Sequence, residues 1–331
     1  MGTASALGYG CLYLWGVRVV LFRHLEYFIS VAEERHFSRA AKVCGVSQPT
    51  LSSAINKLER ELDVKLIDRG HSFAALTEEG EWMLAWARRI VREHSTVKAE
   101  LSAMQTGSVG PLRLGTMPSA STTSSLLLSA FCAKNPTSTV NLTSTLGTSE
   151  LYRQLNNFEI DIAILPLVEQ HVHEVVYTQI YEERYALIAP ASMSLGVAPD
   201  ATTISWFEAG GLPLSLLTSE MHARQVIDEA LAEVGIRAKP QVETDAVGAL
   251  IAQAVAGDRA TIVPHTWLWA TLPGSDLRAF ELVDPIIKTP IAVAISPSQA
   301  ASPLAKAFVE SVQHLGLDDF FDRRLGSIIH H

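Results

Sequence analysis

Cysteine is scarce in this chain, whose 331 residues hold only Cys11, Cys44 and Cys132. There is no CxxC pair and no even-numbered framework, which excludes a disulfide scaffold and a cysteine zinc site and suits a reducing compartment. Charge is sparse at 18% of residues, and 26 Lys and Arg face 35 Asp and Glu for a net charge of −9. A uniformly basic coat for nucleic acid is therefore absent. No stretch has the apolar length that a membrane-spanning helix needs, so no membrane partner is expected. Chemistry-bearing motifs are missing too: no HExxH, GxSxG, Walker loop or dinucleotide fingerprint occurs. An enzyme is not expected, and no catalytic residue, metal site or cofactor is assigned.

Hydrophobic residues make up 48% of the chain, enough for a real core, and the length accommodates two or three domains. The acidic excess is unevenly spread. Residues 21–92 carry 11 Lys and Arg against 10 Asp and Glu, a balance of +1, so the acidic excess lies in the remainder. A locally neutral head can meet DNA while phosphate repels an acidic body. Residues 1–20 are apolar, lack a basic start and are interrupted by glycine. They are expected to be an extension upstream of the true start, with translation beginning near Val19–Leu21; a disordered arm ranks second and a signal peptide third.

Helical periodicity begins at Phe22. Leu25, Phe28, Ile29 and Ala32 form one buried stripe, Ser38 reads as the N-cap of a second short helix, and Gly45-Val46 breaks that helix. Ser47 opens a third helix with Pro49 in its first turn, where proline is tolerated. Leu51, Ile55, Leu58 and Leu62 share its inner face, while Thr50, Ser52, Ser53, Asn56 and Lys57 share the outer one. Such an arrangement describes a helix-turn-helix whose third helix enters the major groove, where Gln48 can offer a paired donor and acceptor to adenine. On periodicity alone, a plain three-helix bundle with a solvated polar face fits equally well.

The stretch FRHLEYFISVAEERHFSRAAKVCGVSQPTLSSAINKLERELDVKLIDRG, followed by LTEEGE, resembles the DNA-binding head of LysR-type transcriptional regulators over residues 22–110. The resemblance rests on Ala40-Ala41, Val46-Ser47-Gln48-Pro49, Leu51-Ser52, Leu58-Glu59, Leu62, Arg69 and Leu76-Thr77. It implies a winged helix-turn-helix, with the helix at Ser47 as recognition helix and Arg69 in the wing. Ser38, Gln48, Pro49, Thr50, Ser52, Ser53, Lys57 and Arg69 then become the DNA-binding candidates. Ser53-Ala54 stands where the family often has Arg-Gln, and the wing lacks its usual later arginines, so fewer contacts are expected.

Thr77-Glu78-Glu79 supplies a cap followed by charge that suits a helix start. Trp82, Trp86, Ile90, Val97 and Leu101 then form an apolar stripe along a helix over 77–105, roughly 43 Å at about 1.5 Å per residue. A stripe this long calls for a partner helix, with packing inside the same chain as the alternative. The resemblance implies dimerisation through it, with two heads on a promoter palindrome, in a homodimer or homotetramer. Residues 106–111 read as a hinge.

From Leu112 to residue 316 short apolar strands alternate with helices, which argues for a mainly parallel sheet with helices on both faces. The landmarks Leu112-Arg113-Leu114-Gly115, Asn135-Pro136, Gly147-Thr148, Glu159-Ile160-Asp161-Ile162-Ala163 and Thr261-Ile262-Val263-Pro264 resemble the sensing domain of the same family. That domain is a two-lobed α/β fold like periplasmic binding proteins. Lobe I is expected over 112–184 and 296–316, lobe II over 185–295, and a tail over 317–331. The loop at Thr116 to Ser121 follows a strand and precedes a helix, an arrangement that gathers N–H groups on an anion. Ser119, Ser121, Thr148, Thr244 and His265 are the effector-binding candidates. The segment has no Lys or Arg, so dipoles and hydroxyls would hold a small carboxylate or other anion. One cysteine in this domain leaves an intramolecular redox switch without a second thiol.

The function expected is that of a cytoplasmic, ligand-responsive LysR-type regulator. GEWMLAWARRI and VPHT resemble a subgroup linked to formate dehydrogenase genes, which points to a small carboxylate effector. The alternative is a two-lobed solute-binding protein that does not bind DNA.

Overall fold

The computed structural model describes residues 22–68, 75–106, 111–168, 175–198, 200–270, 276–297 and 302–329. The expected extension over 1–20, the wing residue Arg69 and most of the hinge lie outside them. The chain divides into two compact units, up to Ser95 and from Thr96.

The first unit begins with α1 (Phe22–Glu34), α2 (Phe37–Val43) and α3 (Gln48–Leu62). Leu25, Phe28 and Val31 of α1 meet Ala40 and Ala41 of α2 and Leu51, Ile55 and Leu58 of α3 in one core. Each large apolar side chain buried there contributes about 1.5–3 kcal/mol. Gly45 makes the turn between α2 and α3 at φ +66°, a conformation that costs a residue with a Cβ. The expected cap of α2 is displaced by two residues. His36, extended at φ −162°, is the N-cap, and its Nδ1 accepts from the backbone N–H of Ser38 at 3.2 Å. An imidazole nitrogen thus takes the place of the serine hydroxyl at the cap, and frees that hydroxyl for another contact.

A two-stranded ribbon of β1 (Ile67–Asp68) and β2 (Ala75–Leu76) follows, then α4 (Glu78–Thr106). Buried Glu59 ties this ribbon to α3, because its Oε1 accepts from Leu66 N at 3.0 Å and Ile67 N at 3.2 Å. Lys65 balances the charge at 3.3 Å. Thr77 caps α4, accepting from Gly80 N at 2.9 Å and donating to Lys65 O at 2.6 Å.

The second unit contains β3 (Leu112–Thr116), α5 (Ser121–Lys134), β4 (Val140–Thr143), α6 (Thr148–Asn156), β5 (Ile162–Pro166) and β6 (Val176–Glu183). Next come β7 (Tyr185–Pro190), β8 (Thr203–Ser205), α7 (Trp206–Gly210), β9 (Leu214–Leu217), α8 (His222–Glu233) and β10 (Val242–Thr244). The remainder is α9 (Val247–Ala256), β11 (Ala260–Pro264), β12 (Leu277–Val283), β13 (Thr289–Ile295), α10 (Pro303–Val312) and α11 (Leu317–Ile329). Lobe I is a five-stranded sheet ordered β4-β3-β5-β13-β6, and lobe II a six-stranded sheet ordered β10-β9-β11-β7-β12-β8.

Both sheets are mixed rather than mainly parallel. β3 lies parallel to β4 and β5, and β9 parallel to β10 and β11. β13 is antiparallel to β5 and β6, and β7 antiparallel to β11 and β12. The chain passes from lobe I to lobe II between β6 and β7 and returns between β12 and β13. The two crossings run in opposite senses, so the strands beside them cannot be parallel. β13 therefore belongs to lobe I, and lobe II ends before Thr289 rather than at residue 295. Residues 317–329, expected as a tail, form α11, which buries Leu317 and Phe321 in the lobe I core.

A Cβ at Gly80 would stand 2.0 Å from the carbonyl oxygen of Leu66, a backbone atom that cannot swing away. Gly80→Ala is therefore expected to lower stability by about 1–3 kcal/mol. An unchanged thermal unfolding curve would show that helix and ribbon do not approach this closely.

Candidate functional site

Two regions carry the chemistry. The first is the start of α3. Ser47 caps it, accepting from Thr50 N at 3.3 Å, and its hydroxyl lies 2.8 Å from that of Thr50. Gln48, Pro49, Thr50, Ser53 and Lys57 are exposed or partly so, and Ser38, Ser52 and Asn56 are half-buried. The outer face expected from periodicity is thus the face that is presented. Ser38 donates to Gln48 Oε1 at 2.6 Å. The contact orders the glutamine before any ligand arrives, and the amide oxygen keeps a second lone pair. Lys57 lies 3.8 Å from Glu61, a pair of little energetic weight because the ammonium is half exposed. Along α4 the side chains of Trp82, Trp86, Ile90, Val97 and Leu101 are 67%, 42%, 37%, 53% and 56% exposed. The stripe is uncovered in the single chain.

The second region is a cleft of about 250 Å³ between the lobes. Lobe I lines it with Met117, Pro118 and Ser119 after β3, and with Thr145, Leu146, Gly147 and Thr148 leading into α6. Lobe II contributes Leu217, Thr218, Glu220, Met221, His222 and Ala223 between β9 and α8, and Asp245 after β10. Each side is a strand end running into a helix start, the place where N–H groups are left without intrahelical partners. The N-cap positions of α6 and α8, Gly147 and Met221, form no side-chain cap hydrogen bond. Trp267 Nε1 donates to Ser119 O at 2.7 Å and fixes the lobe I loop.

Of the expected effector residues, Ser119 and Thr148 line the cleft and the other three do not. Ser121 turns its hydroxyl to Pro118 O at 2.9 Å, and Thr244 Oγ1 accepts from Ala246 N at 3.2 Å. His265 sits at the crossing, 4% exposed, with Nδ1 accepting from Arg184 N at 3.0 Å and its backbone N–H donating to Arg184 O at 2.8 Å. Burial, reinforced by the Arg184 charge, pushes its pKa down to about 3, so the ring is neutral and serves as an acceptor. Thr145, Thr218, Glu220, His222 and Asp245 line the cleft without having been singled out by the sequence reading. A signal for the lobe II wall exists, because TSEMHAR after β9 repeats the strand, short polar turn and helix pattern of TMPSAS after β3.

Patterns of known families match both regions. That described as LysR substrate binding domain covers residues 105–316, and that described as bacterial regulatory helix-turn-helix protein, lysR family, covers 22–81. The chain belongs to the LysR family. The hydrogen peroxide-inducible genes activator of Dickeya chrysanthemi is 37% identical over 151 residues, 45% of this chain and 48% of that protein. The chain thus spans about half the length of such curated relatives. Full-length CbnR complexed with its target DNA superposes with a TM-score of 0.63 at 27% identity, covering 88% of this chain and 99% of that one. A full-length OxyR point variant from Pseudomonas aeruginosa has the same fold, with a TM-score of 0.70 at 22% identity over 89% of this chain and 98% of that one.

Beside the crossing of this LysR-family sensing domain, Glu183 is wholly buried, with Tyr181 donating to its Oε2 at 3.4 Å. Burial pushes its pKa up to about 8, against a weaker opposing effect of the Tyr181 hydrogen bond. The folded state holds this proton more tightly than the unfolded chain, whose value is 4.5. Its contribution to stability is complete below that value and is lost as pH rises toward about 8. Relative to Glu183→Gln, the wild type should lose roughly 1.4 kcal/mol per pH unit across this window. Denaturant melts at several pH values test this, and a constant difference between the two proteins would mean that Glu183 is ionised in the fold.

Proposed function

We propose that the chain is a ligand-responsive DNA-binding transcription regulator that acts in the cytoplasm as a dimer or tetramer. The observation that carries this reading is the exposed polar start of α3, braced from within by buried Leu51, Ile55 and Leu58. In this reading Gln48, Pro49, Thr50, Ser52 and Ser53 enter the major groove, with Ser38 and Lys57 at its edge, and Arg69 acts from the wing. The α4 stripe pairs with a second copy, so two heads meet a palindromic promoter site. A small effector with an acidic end occupies the interlobe cleft at Ser119 and Thr148. Binding more tightly to one arrangement of the oligomer, it shifts the population and the affinity for DNA together. The tie to formate dehydrogenase genes rests on sequence resemblance alone.

Several relatives are hydrogen peroxide-inducible activators. In this chain Cys132, exposed on α5, is the sensing domain's one cysteine, so no disulfide can close within it. Reversible ligand binding is favoured over thiol oxidation.

A gel shift with DNA from upstream of the chain's own gene, repeated across salt concentrations, tests the head. Gln48→Ala with Ser52→Ala should weaken binding by about 1–3 kcal/mol for each base edge that is no longer read, with the circular dichroism spectrum unchanged. Undiminished binding would remove α3 from the groove. For the oligomer, Trp82→Glu with Trp86→Glu should shift sedimentation toward the monomer; an unaltered profile would place the interface elsewhere.

A further inference from the structure

We infer that Ser38 is a positioning residue for DNA recognition: it holds the amide oxygen of Gln48, so that the glutamine presents its nitrogen and reads a base edge that accepts hydrogen bonds. The inference rests on the reading of α3 as the groove-reading helix and deepens it. The first argument is where the serine hydroxyl goes. A serine that caps its own helix turns its oxygen back on the first-turn N–H groups. In α2 that duty falls to His36, whose Nδ1 accepts from Ser38 N at 3.2 Å. The Ser38 hydroxyl is released from its own helix and donates across the turn to Gln48 Oε1 at 2.6 Å. That length suits an O–H···O bond and is short for N–H···O, which identifies the carbonyl end of the amide as the end that is held.

The corner that brings the two side chains together is fixed by the backbone, which is the second argument. Gly45 N donates to Lys42 O at 3.2 Å and Val46 N to Ala41 O at 3.0 Å, closing the turn between the helices. Ala40 and Ala41 of α2 share a buried core with Leu51 and Ile55 of α3. Ser47 caps α3, so Gln48 is its first helical residue. A glutamine has rotamer freedom to lose on binding, and Ser38 restricts it before DNA arrives.

The chemistry of the amide then sets what is read. Its nitrogen carries two donors and its oxygen two acceptor lone pairs. Gln48 is exposed, and among the described residues no hydrogen bond engages its Nε2. With the oxygen partly engaged, donation is the larger free capacity. In the major groove N7 of either purine, O6 of guanine and O4 of thymine accept, whereas cytosine shows only its amino donor. The adenine pairing that an unrestrained glutamine offers needs oxygen and nitrogen together, and Ser38 competes for the oxygen. Once a duplex covers the corner and excludes water, the serine contact gains weight.

Binding-site selection from a randomised duplex library, with the full chain, tests the inference. The position read by Gln48 is the one whose preference Gln48→Ala removes. There the wild type should disfavour cytosine by about fivefold or more relative to the preferred base. Ser38→Ala should relax that preference while the other positions keep theirs and the circular dichroism spectrum is unchanged. Ser38→Thr, which keeps the hydroxyl, should restore it. Gln48→Glu keeps an oxygen for Ser38 but has no N–H, so it should abolish or reverse the preference. An unrelaxed preference in Ser38→Ala, a uniform loss at every position, or no recovery in Ser38→Thr would each overturn the role of Ser38. A preference untouched by Gln48→Glu would mean that the oxygen reads the base, and one untouched by Gln48→Ala that Gln48 reads none; either result overturns the inference. In all these cases a sequence is still enriched and the head still reads DNA. If the wild type enriches no sequence at all, the reading of α3 falls together with the inference.

Discussion

The sensing domain turns on one contact, the reciprocal pair of hydrogen bonds between His265 and the backbone of Arg184. Arg184 is the residue at which the chain leaves one sheet for the other. Its N–H is accepted by Nδ1 of His265 at 3.0 Å, and its carbonyl accepts the backbone N–H of His265 at 2.8 Å. A crossing strand passes out of sheet pairing, and any backbone group buried there without a partner carries a desolvation cost. The neutral imidazole supplies the acceptor that the sheet cannot. With the waist fixed in this way, the two strand-to-helix turns after β3 and β9 oppose each other across the cleft. Their polar contents become a shared site instead of two unrelated loops.

The head has a comparable fixed point in Glu59. A carboxylate buried against two backbone N–H groups at the start of the ribbon is costly to place, and the nearby Lys65 and the two donors offset that cost. The carboxylate sets the ribbon relative to α3, and Gly80 lets α4 pass close beside the ribbon. The outer face of α3 is therefore defined by packing on its inner side, so polar residues at its start can vary without loss of the fold.

The head is legible in the sequence because its stripes are local. Leu51, Ile55 and Leu58 announce the buried face by spacing alone, and Ser47 announces the cap. Ser38 misleads, because a histidine two residues earlier accepts the capping hydrogen bond, and periodicity cannot rank two side chains that both can cap. In the body, β13 is recognisable as a strand that closes the fold, yet its lobe is not. A strand's own residues do not reveal which neighbours it pairs with. His265 resembles a cleft residue because it follows a strand end, but Phe321 of α11 packs against its ring, and nothing local marks that helix as part of the core. Glu220 and Asp245 escape notice because an acidic residue in a turn is ordinary until the opposing wall is known.

α11 lies over the crossing: Asp318 accepts from Glu182 N at 2.9 Å, Asp322 pairs with Arg184, and Phe321 packs against Tyr181 and His265. The aspartate of that pair is 59% exposed, so dissolved ions reach it, whereas the aromatic contacts are sheltered. The strap thus combines an ion-sensitive clasp with an ion-insensitive one. Raising the ionic strength weakens the pairing of Asp322 with Arg184 and leaves the packing of Phe321 against Tyr181 and His265 in place.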